Sequence, residues 1–143
     1  MPPASHDLQR FVDAQAPVYA QVLRELQDGQ KRTHWMWFVF PQIRGLGHSA
    51  TAQRYAIESL DEARAYLAHP VLGPRLNECC RLVLDADARS IGAMFPYPDD
   101  LKLRSCMTLF AHASDENAVF RDVLDRYFTG RDDAATLDLL REG

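Results

Sequence analysis

The chain has 143 residues, 47% of them hydrophobic and 25% charged, enough for one domain that buries roughly 70% of its unfolded surface. Its 16 Lys and Arg face 20 Asp and Glu for a net charge of -4, and neither sign forms a long block, so neither nucleic acid nor an anionic membrane is an expected partner. Three cysteines, Cys79 and Cys80 adjacent and Cys106 apart, fit neither a disulfide framework nor a zinc ribbon and suit reduced thiols.

The opening residues MPPASHDLQR lack the basic start and apolar core of a signal peptide. The longest apolar run, Trp35 to Phe40, is far shorter than a membrane span, so a soluble, cytoplasmic protein is expected. Ser5 can cap a first short helix bearing Leu8, Phe11 and Val12. Pro17 suits the first turn of a second, whose stripe is Val18, Val22, Leu23 and Leu26 and which Gly29 stops.

Next comes HWMWFVFPQIR, which holds both tryptophans. A continuous apolar run of this kind has no period, so a strand buried on both faces, a central helix and a segment with a functional face all remain open. Trp35 and Trp37 can plug a core, or form a cleft wall with His34, Gln42 and Arg44 at its edge, since each indole N–H needs a partner. The following RGLGHS either turns the chain or cradles an anion; it lacks the strand and third glycine of a dinucleotide fingerprint.

Ser49 can cap the helix ATAQRYAI, and SLDE at residues 59 to 62 is a capping box opening a helix that ends near His69 and Pro70. From Pro70 to Asp85 the residues Val71, Leu72, Leu76, Cys79, Cys80, Val83 and Leu84 keep helical spacing, with Arg75, Glu78 and Arg81 outward. After the breakers FPYPDD, Asp99 or Asp100 can cap LKLRSCMTLFAHA. Ser114 can cap ENAVFRDVLDRYF, which Gly130 closes, and a last helix starts at Asp132 or Asp133. The fold class expected is all-α: a single multihelical domain, residues 1 to 143, of about seven helices.

Chemistry-bearing groups are few. Asp99 and Asp100 can cap a helix or act as acid or base; Lys102 and Ser105 share a helix face and can hold an anion if that face meets the aromatic segment. His69 reads as a helix cap, and no histidine spacing matches a metal motif, so neither metal nor cofactor is expected. Cys106 has no base beside it in the sequence and reads as a buried thiol.

The stretches HWMWFVFPQIRGLGHS, YAIESLDEARAYLAHPVLGPRL, PDDLKLRSCMTLF and FRDVLDRYFTGRDDAATLDLL resemble the bacterial family called domain of unknown function 1810, from about Leu8 to Leu140. That resemblance implies a compact multihelical domain, and its members are uncharacterised, so it names no activity. The tail around YFTGRDD is also similar to the closing segment of NADAR proteins, a superfamily associated with NAD and ADP-ribose that includes N-glycosidases. Together these suggest a nucleotide or ADP-ribose-type ligand site, extending to N-glycosidic hydrolysis. In it Trp35 or Trp37 stacks the base, Arg44 and Lys102 hold phosphate, His34, Gln42 and Ser105 add contacts, and Asp99 or Asp100 serves as acid or base. The alternative is a non-catalytic interaction module with the aromatic segment as core, whose mark would be an exposed apolar patch. The oligomeric state is open.

Overall fold

The computed structural model describes residues 7–86 and 90–142, with Glu142 described by its backbone alone. The described residues form ten helices: α1 (Gln9–Gln15), α2 (Tyr19–Gln27), α3 (Met36–Val39), α4 (Ala50–Arg54), α5 (Leu60–Ala68), α6 (Leu72–Asp85), α7 (Ile91–Met94), α8 (Asp99–Ala113), α9 (Ala118–Phe128) and α10 (Ala134–Glu142). The expected all-α class holds, and the expected count of about seven is corrected to ten. The additions, α3 and α7, have only four residues each. One turn cannot repeat an apolar position at i+7, so periodicity misses it. No strand occurs among the described residues, which hold one isolated parallel bridge between Ile43 and Ile57. None of their helices is long and apolar enough to cross a membrane.

Local signals account for most boundaries. Gly29, at φ +71°, ends α2: its N–H bonds the Leu26 carbonyl at 3.1 Å and the next N–H bonds that of Glu25 at 3.0 Å, the paired bonds of a Schellman close. Ser49 and Ser59 accept from the N–H groups of Ala52 and Glu62, as their spacing implied. The Glu62 carboxylate accepts the N–H of Glu58, one residue before the cap, at 2.9 Å. It also pairs with Arg10, which bonds the Ala56 carbonyl as well and so fastens α1 to the start of α5. The cap assigned to Ser5 lies outside the described residues. Asp133, not Asp132, caps α10, accepting from the N–H and hydroxyl of Thr136 at 2.9 and 2.7 Å.

Two caps differ from expectation. Neither Asp99 nor Asp100 stands at the cap position of α8, which Pro98 occupies; both sit in the first turn. Ser114 caps no helix either: it accepts the N–H of Glu116, and α9 opens at Ala118, behind Asn117. A lone serine or an Asp-Asp pair marks a turn where N–H groups need an acceptor, and such turns also precede helices.

Helix α8 is the central element. From Leu103 to Ala113 every side chain except Arg104 and His112 is buried, and α5, α7, α9 and α10 pack around it. A helix that is apolar on all sides belongs inside a bundle. One contiguous core joins Phe11, Leu26, Trp35, Phe40, Tyr66, Leu76, Phe95, Phe110 and Phe120.

At the end of α9 the chain turns through Thr129, a β-branched residue held at φ +53°, followed by Gly130 at +73°. A side chain branched at Cβ is strained in this left-handed region, where glycine is not. Thr129→Gly is therefore expected to stabilise the protein by about 0.5–1 kcal/mol, a rise of about 2 °C in Tm. A lower Tm by calorimetry would show that the hydroxyl bond from Thr129 to the Phe128 carbonyl outweighs the strain.

Candidate functional site

The aromatic segment is mostly interior. Trp35 stands at the cap of the one-turn helix α3, is 1% exposed, and donates its indole N–H to Glu25 Oε1 at 3.0 Å. Its ring packs edge-on against Phe95, 6.2 Å between centroids, and Phe40 meets Phe95 the same way at 5.9 Å. Residues Met36 to Val39 are thus helix rather than strand. Trp37 and Phe38 are half-buried, and Lys102 Nζ lies 5.0 Å from the Trp37 ring centroid.

Behind Trp35 is a hub absent from the expected site. Glu25 is fully buried, and its two oxygens accept from the N–H groups of Arg32 and Thr33, the Thr33 hydroxyl, the Trp35 indole and the Gln21 amide at 2.6–3.0 Å. Burial alone would raise its pKa; the bonds from Thr33, Arg32 and Gln21 outweigh burial and hold the carboxyl at about 2, against 4.5 ordinarily.

The candidate residues divide into three groups. Trp37, Gln42 and Lys102 do come together, but with Met36, Phe40, Ile43 and Ala52 they enclose only about 10 Å³. That space is barely one water and holds no base. Asp99 bridges two cations, with Lys31 at 2.8 Å and Lys102 at 3.6 Å, and Asp100 accepts the neighbouring N–H of Leu101. Ser105 is buried and donates to the Leu101 carbonyl at 3.1 Å. His34 is exposed.

The glycine loop is explained by packing. Gly45 sits at φ +109°, open to glycine, while a Cβ on Gly47 would lie 2.5 Å from that of Ala52. The loop turns the chain tightly onto α4.

Arg44 faces elsewhere. Its backbone pairs with Ile57, and its side chain, 55% exposed, donates from Nη2 to Glu58 at 3.0 Å. It lines a pocket of about 360 Å³ with Ile43, Glu58, Ser59, Asp61, Arg64 and, from α10, Leu139 and Leu140. Arg64 on α5 is held by the Ala113 carbonyl at Nε and by Asp61 at Nη1. Nε and Nη1 of Arg44 and Nη2 of Arg64 have no hydrogen-bond partner among the described residues. Two guanidinium groups, each oriented by a carboxylate, thus line a concave site with an apolar wall, at a volume typical of small-molecule sites. Sequence reading missed Arg64, which in EARAYLA looks like any outward helix position.

Residues of the YFTGRDD tail are taken up by the fold. Asp132 accepts from Arg121 at 2.6 Å and contacts His112 Nε2 at 3.1 Å; burial would raise its pKa, and these two partners lower it. Arg104 donates to the carbonyls of Arg131 and Asp132. The three thiols are buried; desolvation pushes Cys79 up to about 12 and Cys80 and Cys106 well above their usual range, so none is poised as a nucleophile. No group of three or more His, Cys, Asp or Glu is placed to hold a metal among the described residues. The large apolar side chains exposed there are Tyr97 and Leu101, four positions apart at the head of α8.

An all-helical domain with a central buried helix and a two-arginine surface pocket is the class that fold and geometry define. Residues 5–140 match the family described as "Protein of unknown function (DUF1810)", and the chain belongs to that family. It is also similar to the conserved hypothetical protein Rv1873 from Mycobacterium tuberculosis, known from a crystal structure: 58% identity, 94% of this chain and 96% of that one covered, TM-score 0.93. No curated protein matches the chain.

Proposed function

We propose that this protein binds a small anionic ligand of the nucleotide or ADP-ribose type in the pocket between Arg44 and Arg64. The observation that carries the reading is the pair of guanidinium groups lining one 360 Å³ site, each with N–H donors uncommitted. Arginine forks suit phosphate oxygens, and Leu60, Leu139 and Leu140 supply an apolar surface for a planar or aliphatic group. Among the residues first favoured, Arg44 keeps its role. Lys102, Trp37 and Asp99 serve the packed joint at the head of α8 instead, with Gln42 beside them. N-glycosidic hydrolysis would draw its acid or base from Glu58 or Asp61, the carboxylates that line the pocket. Buried reduced thiols suit a cytoplasmic setting.

The test is a thermal-shift screen against phosphate, nucleotides, NAD and ADP-ribose. A ligand at 100 times its Kd stabilises by about 2.7 kcal/mol, a rise of several degrees for a domain of this size. The Arg44–Glu58 pair is half exposed and worth less than about 1 kcal/mol, so Arg44→Ala stays folded and is expected to abolish the shift. A flat response in the wild type, or an unchanged one in the variant, would overturn the reading. Release of free base from a bound nucleotide is the assay that extends it to hydrolysis.

A further inference from the structure

The charges around the Arg44 pocket balance. Among the described residues four charged side chains line it, Arg44 and Arg64 against Glu58 and Asp61, and each guanidinium already holds one carboxylate, at 3.0 and 3.3 Å. The formal sum is zero. Glu58 and Asp61 are 60% and 82% exposed, so a ligand oxygen can displace either from its arginine at little cost. Neither can leave the site. A carboxylate turned aside on its own side chain stays within about one Debye length, roughly 10 Å at 0.1 M salt, and still acts on whatever charge the arginines hold.

This balance bears on which anion fits. Attraction to the arginines grows in proportion to a ligand's charge, whereas the cost of stripping its water grows with the square of that charge. With two uncompensated arginines the attraction dominates, and a second charge on the phosphorus strengthens binding. Here the carboxylates cancel much of the attraction, and Leu60, Leu139 and Leu140 offer nothing to replace the lost water. We infer that the pocket selects an esterified phosphate, a phosphodiester or pyrophosphate diester with one negative charge on each phosphorus, over a terminal phosphate monoester or free phosphate. The inference rests on the anionic-ligand reading above and narrows it: compounds of the NAD and ADP-ribose kind suit the site better than mononucleotides or sugar phosphates. Glu58, through its charge, is then a specificity-determining residue.

The experiment compares AMP with its methyl phosphate ester, which differ by one charge and one methyl group, by titration calorimetry at pH 8 and low salt. The second ionisation of a phosphate monoester lies near pH 6, so AMP is there a dianion and the ester a monoanion. The ester is expected to bind the wild type at least as tightly as AMP. Glu58→Gln removes one negative charge and keeps an acceptor oxygen for Arg44; the half-exposed pair contributes little to stability, so the variant folds. At roughly 6 Å in water, one unit of ligand charge is worth about threefold in affinity. The variant should therefore bind AMP about tenfold and the ester about threefold more tightly than the wild type does, moving the preference towards AMP. AMP binding the wild type more tightly than the ester, or an AMP-to-ester ratio that does not move in Glu58→Gln, would overturn the charge selection and leave the Arg44 pocket standing. Absence of binding by both ligands would overturn the two readings together.

Discussion

Glu25→Ala is expected to destabilise the protein by about 4 kcal/mol and to lower Tm by about 10 °C, measured by urea titration and calorimetry. One fully buried carboxylate collects five donors that no other acceptor among the described residues serves, including the Trp35 indole and two backbone N–H groups of the 28–35 loop. Removing it strands the buried Trp35 indole N–H and leaves four part-buried donors without their acceptor, which costs more than the bonds themselves contribute, out of a total stability of 5–15 kcal/mol typical of domains. Glu25→Gln keeps one acceptor oxygen and brings an amide against donors, so its loss should be intermediate. The pH dependence has a definite sign. The folded carboxyl titrates at about 2 and the unfolded one near 4.5, so its contribution is complete above pH 4.5 and fades as the pH falls towards 2. The difference corresponds to about 3 kcal/mol, and Glu25→Gln should flatten the acid limb of the stability curve by a comparable amount. A loss below about 1 kcal/mol in Glu25→Ala, or an unchanged acid limb in Glu25→Gln, would show that Glu25 is not the anchor of this loop.

Gly73→Ala is expected to reverse the usual sign of a glycine-to-alanine change in a helix. Such a change ordinarily stabilises by up to about 1 kcal/mol. At Gly73, in the first turn of α6, an added Cβ would lie 2.1 Å from the Leu67 carbonyl oxygen, and that oxygen is backbone near the end of α5. Nothing flexible can yield, so the two helices must separate, and the expected loss is about 2–3 kcal/mol, or 6–9 °C in Tm. Gly92→Ala is the matched control: its Cβ would meet nothing closer than the Ser90 hydroxyl at 3.9 Å, and a small stabilisation is expected. Equal effects at the two positions would mean that α5 and α6 do not approach as closely as described. The same contact accounts for AHPVLGPRL. His69 Nδ1 accepts the N–H groups of Val71 and Leu72, Gly73 admits the Leu67 carbonyl, and Pro74 sits in the first turn, where its missing N–H costs little.

Much of the fold is legible in the sequence, because a helix several turns long writes its buried face as a repeat. Leu72, Leu76, Cys79, Cys80 and Val83 of α6 are buried as their spacing implies, and Gly29, Ser49 and Ser59 bound helices through hydrogen bonds to their own near neighbours. His69 as a cap and three buried thiols follow from equally local chemistry. The candidate site is legible only in fragments. Arg44 lines a pocket, but its expected companions Lys102 and Trp37 close around a 10 Å³ gap, and its actual neighbour Arg64 lies 20 positions on in an unremarkable helix.

The sequence by itself determined the all-helical class, the family and most long-helix boundaries, since these depend on contacts within a few residues along the chain. Only the tertiary structure decided where polar groups went. Nothing in the sequence marks Glu25 as an acceptor, and it becomes one because the 28–35 loop folds back over it. Asp99 reads as a cap and becomes a bridge because Lys31 arrives from 68 positions earlier. A side chain's propensity is a property of its neighbours in sequence, whereas its partner is a property of the packing, and a site is made of partners.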